Sequence, residues 1–532
     1  MPKRASFLFA VLAVLLFFNA ITVYQISGGT GLAEAAADQQ FFTVPVVSQR
    51  GTIYDRNRDP LTGNGKEEYP TAVAPGTQAA AALKKVMPAA DWNDIRTLLS
   101  SGKPFAVKLP APVSAAGVKT FAVKKRYGGS TAAHVLGYLD GSGKGASGIE
   151  KAYDDALSST GAKITVSYQV DALGHVLPEG NGEVSDSTAL ARGGVVLTLD
   201  GSIQKLAERA AAKYLKKGAA VVLSVPSGQI LAMASLPAFS PDDVSSVLES
   251  EDSPLLNRAV SAYNVGSVFK IAAAAAALED GVSPAEQYRC VGYEEAGGML
   301  FHCYDSQPHG TEDMKLAIAN SCNSYFVHLM KQIPQADFLH MAEKLGFGKP
   351  VALAPGMEAE AGTLPSLQSL GSPRAIANFS IGQGDLTATP LQVAAMVNAV
   401  AAGGVYTEPT LVIGRVNENH DFVERSAAPK STRAMSEKTA RLLQEFMAAS
   451  VDSGTGKKGK PDYGTAGAKT GTAQTGRYQN GEEEVESWYA GFYPRGDPKF
   501  AIAVFAEGGS GGGASCGPVF REIANGLYGY VS

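Results

Sequence analysis

The first strong pattern is an apolar run, Ala5–Tyr24, broken only by Ser6, Asn19 and Thr22 and preceded by Lys3 and Arg4. A run of about 20 such residues spans a bilayer, and flanking cations stay on the inner side. The pattern predicts a cytoplasmic tail over residues 1–4 and an uncleaved transmembrane signal-anchor over 5–26. The alternative is a cleaved signal peptide, but the small residues Ala35–Ala37 lie well past the apolar run. From Ile203 the apolar positions Leu206, Ala207, Ala210 and Tyr214 recur at helical spacing, with Asp200 placed to cap the helix. Ala219–Val225 and Gln229–Ser235 read as strands around the turn Pro226-Ser227-Gly228. An alanine-rich helix is predicted over Val268–Leu278, and amphipathic stretches over Asp313–Ala319 and Tyr325–Ile333. Ser487–Tyr493 and Lys499–Glu507 alternate on either side of Pro494-Arg495-Gly496-Asp497-Pro498, which predicts a hairpin. A helix followed by hairpins predicts an α+β fold, an antiparallel sheet with helices on both faces.

With 532 residues the chain is long enough for two or more domains. A small-residue linker is expected over 27–40, an N-terminal module without chemistry motifs over 41–190, and a larger catalytic domain over 191–532. Charged residues make up 18% of the chain and the net charge is −5. There is no basic stripe, so nucleic acid is excluded as a partner.

Three short strings carry the chemistry: Ser267-Val268-Phe269-Lys270, Ser321-Cys322-Asn323 and Lys469-Thr470-Gly471-Thr472. Each is cheap alone; their order and context give them weight. Ser267 stands at a helix start, and Lys270 lies one turn on, on the same face. Ser267 is the candidate nucleophile. Lys270 is its base, provided burial and the nearby cation Lys469 hold it neutral. Ser321 is the candidate proton relay, and Asn323 would orient Lys270 or the substrate; the alternative is that the pair merely caps a helix junction. Lys469 with the hydroxyls of Thr470 and Thr472 can hold a carboxylate, and Gly471 would let a peptide backbone approach. The segment reads as a strand, at a sheet edge beside the cleft. The backbone N–H groups of Ser267 and Thr472 would form an oxyanion hole. The set points to acyl transfer through a serine ester.

The chain resembles the class B penicillin-binding proteins, peptidoglycan D,D-transpeptidases. Beyond the three strings, the likeness rests on Gln49-Arg50-Gly51-Thr52-Ile53-Tyr54-Asp55-Arg56-Asn57, on Gly137-Tyr138 with Gly148-Ile149-Glu150, and on Thr198-Leu199-Asp200 with Ile203-Gln204. Asn257-Arg258-Ala259, Ile381-Gly382-Gln383-Gly384, Thr389-Pro390-Leu391-Gln392 and Phe520-Arg521-Glu522-Ile523 continue it, so it spans about Gln49 to Ile523. Val265-Gly266 stands where Pro-Gly is usual, and Cys516 where the family has a small residue. The resemblance implies a penicillin-binding/serine β-lactamase-like transpeptidase domain after a smaller N-terminal module and one transmembrane helix, at the bacterial cytoplasmic membrane with the catalytic domain outside. It implies stem peptides ending D-Ala-D-Ala as substrate, β-lactams as acylating agents of Ser267, and no cofactor. It also implies a partner, a polytopic glycan polymerase of the shape–elongation–division–sporulation type. A D,D-carboxypeptidase, a serine β-lactamase and a non-enzymatic penicillin-binding sensor or scaffold are the competing readings.

Four cysteines and seven histidines remain. Outside the cell Cys290 and Cys303 could form a disulfide clipping the loop between them; the alternative is two buried thiols. Cys322 reads as a core residue facing away from the cleft, and its pairing with Cys516 stays open. No H-E-x-x-H or Cys/His cluster is evident along the chain, so no metal is expected. His309 reads as a turn residue.

Overall fold

The computed structural model describes residues 2–28, 40–177, 181–479 and 481–531. Most of the 27–40 linker, including Ala35–Ala37, lies outside them. An N-terminal helix runs Pro2–Gly28. Its segment Lys3–Ile26 has mean hydropathy 2.4, long and apolar enough to cross a membrane.

The chain divides into two units, and the division is not the single boundary expected near residue 190. One unit holds residues 1–50, 66–125 and 160–191; the other holds 51–65, 126–159 and 192–532. The expected 41–190 module is therefore interleaved. Backbone and side-chain hydrogen bonds explain why 51–65 and 126–159 belong with the C-terminal unit. Thr52–Tyr54 pairs in parallel with Gly194–Val196, and Gly51 N–H donates to the Leu157 carbonyl at 2.7 Å. The Ala132 N–H donates to Glu208 Oε1 at 2.6 Å, and His134 Nε2 lies 2.7 Å from the Pro254 carbonyl oxygen. Such distant pairings leave no local signature in sequence.

In the first unit, Phe41–Gln49 pairs with Ala162–Gln169, which pairs with Glu183–Asp186. A second sheet centres on Glu67–Val73, flanked by Phe105–Leu109 and Val118–Thr120. Helices Thr77–Val86 and Trp92–Ser100 contribute Leu83 and Ile95 to its core.

The second unit is built on a five-stranded sheet. Its strands are β1 (Gly218–Ser224), β2 (Ile230–Leu236), β3 (Gly467–Gln479), β4 (Glu482–Tyr493) and β5 (Phe500–Glu507), in the order β2-β1-β5-β4-β3. All neighbours are antiparallel. The runs of β1, β2 and β5 are apolar at nearly every position because both faces are covered. Side chains alternate across the sheet: Val221, Leu223, Ala503 and Phe505 enter one core, and Val222, Ile502 and Val504 enter another. The second core is closed by α1 (Gly201–Tyr214) and by the C-terminal helix Gly517–Leu527. Asp200 caps α1, accepting from the Ser202 and Ile203 N–H groups. The first core is closed by α2 (Lys270–Glu279), by Pro390–Ala401 and by Glu437–Asp452. Ile271–Ala277 of α2 are buried on every side, the pattern of a helix embedded in a core. The fold is thus the expected α+β arrangement.

Candidate active site

Ser267 lies on a 3₁₀ turn, Gly266–Phe269, and the α-helix proper starts only at Lys270. Residues three apart eclipse in a 3₁₀ turn, so Ser267 and Lys270 share one side; Ser267 is half-buried and Lys270 fully buried. The turn is held from two directions. Gly266 has φ +60°, and a Cβ there would sit 2.8 Å from the Thr472 carbonyl oxygen. Its N–H donates to the Gly382 carbonyl at 2.8 Å. A Cβ on Gly382 (φ +78°) would in turn sit 2.0 Å from the Gly266 oxygen. Both positions need glycine for conformation and for space. Gly382 is a supporting residue that sequence reasoning reached only through the "GQG" likeness.

Ser321 and Asn323 sit where two short helices meet, α3 (Met314–Asn320) and α4 (Asn323–Leu329). Ser321 takes a left-handed conformation, φ +59°, ψ 39°. This conformation is costly for a residue with a side chain. It lets Ser321 present two acceptors to two lysine amines. Its carbonyl accepts from Lys270 Nζ at 2.7 Å, and its Oγ accepts from Lys469 Nζ at 2.8 Å. Lys270 Nζ also donates to Asn323 Oδ1 at 2.6 Å and lies 3.4 Å from Ser321 Oγ. Asn323 is fixed from its other end, Nδ2 donating to the His302 carbonyl at 2.8 Å. Capping also occurs at this junction: Ser321 is the C-cap of α3, and the N-cap of α4 is Cys322, whose Sγ accepts from the Tyr325 N–H.

Lys469–Thr472 lies on β3, the edge strand, as expected. Alternation puts Lys469 and Gly471 on one face and Thr470 and Thr472 on the other. Two of these residues have contacts within the protein itself. Gly471 admits the protein's own nucleophile turn: a Cβ there would lie 3.1 Å from Val268 Cγ1 and 3.2 Å from the Val265 oxygen. Lys469 is buried and donates to Ser321 Oγ and to the Thr470 carbonyl, 2.8 Å each. Thr470 is buried with its hydroxyl 2.7 Å from Thr455 Oγ1, whereas Thr472 is exposed and its Oγ1 accepts from the Gly512 N–H at 3.3 Å.

Burial dominates the electrostatics. Desolvation lowers Lys270 from 10.5 to about 8, opposed by Cys322, Cys303 and Glu312. Lys469 is pushed well below its ordinary value, first by desolvation and then by the Lys270 cation. Two buried amines on one serine cannot both stay charged at low cost. Burial therefore shifts Lys270 toward the neutral form.

The disulfide expected between Cys290 and Cys303 is not formed. Both are free thiols, their sulfurs 3.8 Å apart where a bond needs about 2 Å. Cys322 is buried as expected but meets Cys303, not Cys516, with 3.8 Å between sulfurs. His309, read as a turn residue, places Nδ1 3.4 Å from Cys290 Sγ. The Cys/His cluster that no spacing suggested is therefore present in three dimensions.

The fold and the Ser–Lys–Ser–Lys constellation define a class, serine acyl-transfer proteins in which lysine replaces histidine as base. Residues 218–525 match the penicillin-binding protein transpeptidase domain, and the chain belongs to that family. Penicillin-binding protein PbpB of Mycobacterium tuberculosis is 30% identical to it, over 99% of this chain and 85% of the relative. Penicillin-binding protein 3 of the same organism, solved in complex with aztreonam, aligns with a TM-score of 0.67 and 26% identity, over 92% of this chain and 97% of the other. A chain from a structure titled as the coordination of polymerization and crosslinking by a peptidoglycan synthase complex aligns with a TM-score of 0.71 and 25% identity, covering 99% and 98%.

Proposed function

We propose that the protein is a penicillin-binding peptidoglycan D,D-transpeptidase that works through an acyl-enzyme on Ser267. The observation that carries this reading is the pair of buried lysines meeting on Ser321. A neutral Lys270 amine has two N–H bonds and one lone pair. Asn323 Oδ1 and the Ser321 carbonyl, at 2.6 and 2.7 Å, take the two N–H bonds. The lone pair is left to accept the Ser267 proton.

The serine oxygen attacks the carbonyl of the penultimate D-Ala in a stem peptide ending D-Ala-D-Ala. The oxyanion rests on the N–H groups of Ser267 and Thr472. Ser321, bonded to Lys469 and close to Lys270, passes a proton to the departing D-Ala nitrogen. An amine of a second stem peptide then attacks the ester, forms the cross-link and returns the proton along the same relay. Exposed Thr472 at the cleft edge is the group best placed to meet the terminal carboxylate of the donor. The N-terminal helix anchors the protein in the cytoplasmic membrane, with the catalytic unit outside. A polytopic glycan polymerase is the partner class, in keeping with the synthase complex to which the chain is similar along nearly its whole length.

Full-length protein in detergent, incubated with a fluorescent penicillin, should carry one stable label, and Ser267→Ala should abolish it while the circular dichroism spectrum persists. Undiminished labelling of that variant refutes the assignment. Adding a D-amino acid acceptor to a donor peptide should give an exchanged product; hydrolysed product alone would identify a carboxypeptidase, and release of the penicillin label within seconds a β-lactamase.

A further inference from the structure

Beside the catalytic serines lies a group of side chains that the proposed chemistry does not use. Cys290, at the end of strand Tyr288–Cys290, Cys303, after strand Met299–His302, His309, before strand Gly310–Glu312, and Cys322, at the start of α4, converge from four separate points of the chain. One ligand atom from each lies within 4.8 Å of every other. We propose that Cys290, Cys303, His309 and Cys322 form a structural zinc site of the closed, four-ligand type.

The distances fit the ion. With Zn–S of about 2.3 Å and Zn–N of about 2.0 Å, a tetrahedron has S···S edges of about 3.8 Å and S···N edges of about 3.6 Å. Cys290–Cys303 and Cys303–Cys322 are each 3.8 Å between sulfurs, and Cys290 Sγ to His309 Nδ1 is 3.4 Å. Three thiolates and one imidazole select zinc among the common divalent ions, and four protein ligands leave no open position for substrate.

The surroundings fit a thiolate cluster. Gly292 and His309 each donate a backbone N–H to Cys290 Sγ, at 3.4 and 3.5 Å, and Tyr325 donates one to Cys322 Sγ at 3.4 Å. The Ser324 hydroxyl, fully buried, lies 3.0 Å from Cys290 Sγ, 3.3 Å from Cys322 Sγ and 3.5 Å from Cys303 Sγ. Glu312 is 1% exposed, and its Oε2, 3.9 Å from His309 Nδ1, has no hydrogen-bond partner. Zn²⁺ with three thiolates carries a net charge of −1, so this carboxylate is balanced by Lys270, which feels its charge, and not by the ion.

Binding replaces three thiol protons by one Zn²⁺ and involves no redox change. Because Cys322 separates Ser321 from Asn323, the ion would pin the junction that presents both residues to Lys270. It would also protect the thiols from oxidative pairing outside the cell. The site is independent of whether the acyl acceptor is an amine or water.

The test uses full-length protein purified in detergent without chelator. Elemental analysis should find about one zinc per chain. Exchange for Co²⁺ should give thiolate-to-cobalt charge-transfer bands and the intense visible bands of a tetrahedral ion. Cys303→Ser and His309→Ala should cut metal content at least several-fold, and Cys516→Ser, at a cysteine outside the cluster, should leave it unchanged. If the ligand variants fail to fold, a mercurial titration of the wild type should release one zinc, read with a chromogenic chelator, as three thiols react. Protein that neither carries zinc nor takes up Co²⁺ would overturn the proposal, as would an intact mass two daltons low from a disulfide within the trio. Fluorescent-penicillin labelling of the same sample reads Ser267 separately, so a failure of this site and a failure of the transpeptidase reading are distinguishable.

Discussion

The state of Lys270 makes the mechanism quantitative. Lowering its value from 10.5 to about 8 raises the neutral fraction at pH 7 roughly 300-fold, to about one molecule in ten, equivalent to about 3 kcal/mol. The perturbation to apply is pH. Only the neutral amine can accept the Ser267 proton, so the second-order rate of acylation by a fluorescent penicillin should climb about tenfold per pH unit up to about 8 and level off by about pH 9. The direction follows from loss of a proton from a cation. Burial sets the midpoint by lowering it, and Cys322, Cys303 and Glu312 pull it up. The same difference bears on stability: between about 8 and 10.5 the unfolded chain binds more protons at this residue, so this contribution is complete above 10.5 and is lost as pH falls through about 8. Stopped-flow labelling across pH 6 to 10, with folding checked at each point, measures the profile. A rate that is flat from pH 6 to 8, or one that keeps climbing past 10, would refute the neutral-lysine argument.

Other perturbations follow from the same geometry. Lys469→Met removes the donor to Ser321 Oγ and should slow acylation by a factor on the order of 100, read by the same fluorescent-penicillin labelling. Gly382→Ala places a methyl 2.0 Å from the Gly266 oxygen at φ +78°, and should cost about 2–4 kcal/mol, seen in thermal unfolding together with slower labelling. Asp200→Ala deletes the α1 cap and should lose about 1 kcal/mol while leaving the acylation rate unchanged.

Much of the chemistry was legible along the chain because local rules govern it. Ser267 and Lys270 are one turn apart, so three residues of spacing already place hydroxyl and amine together. β1, β2 and β5 of the central sheet are buried on both faces, and their apolar runs marked most of their extent. The membrane-length helix needed only hydropathy. Spacing could not reveal which partner each group takes. Lys469 read as a free cation, and only the packing of β3 against the α3–α4 junction commits it to Ser321. At Gly471 only the approach of Val265 and Val268 shows that the nucleophile turn also needs the missing side chain. The interleaving of 51–65 and 126–159 with the C-terminal unit depends on strand pairing and on contacts such as Ala132–Glu208 and His134–Pro254, between segments that are distant in sequence.

The chain by itself thus determined the reacting groups and the elements that carry them, since helix and strand periodicity act over a few residues. Tertiary structure alone decided the charge state of the two lysines, because desolvation depends on everything packed around them. It alone brought Cys290, Cys303, His309 and Cys322 together, because four ligands spread along separate strands and a helix start become neighbours only when those elements close around one point.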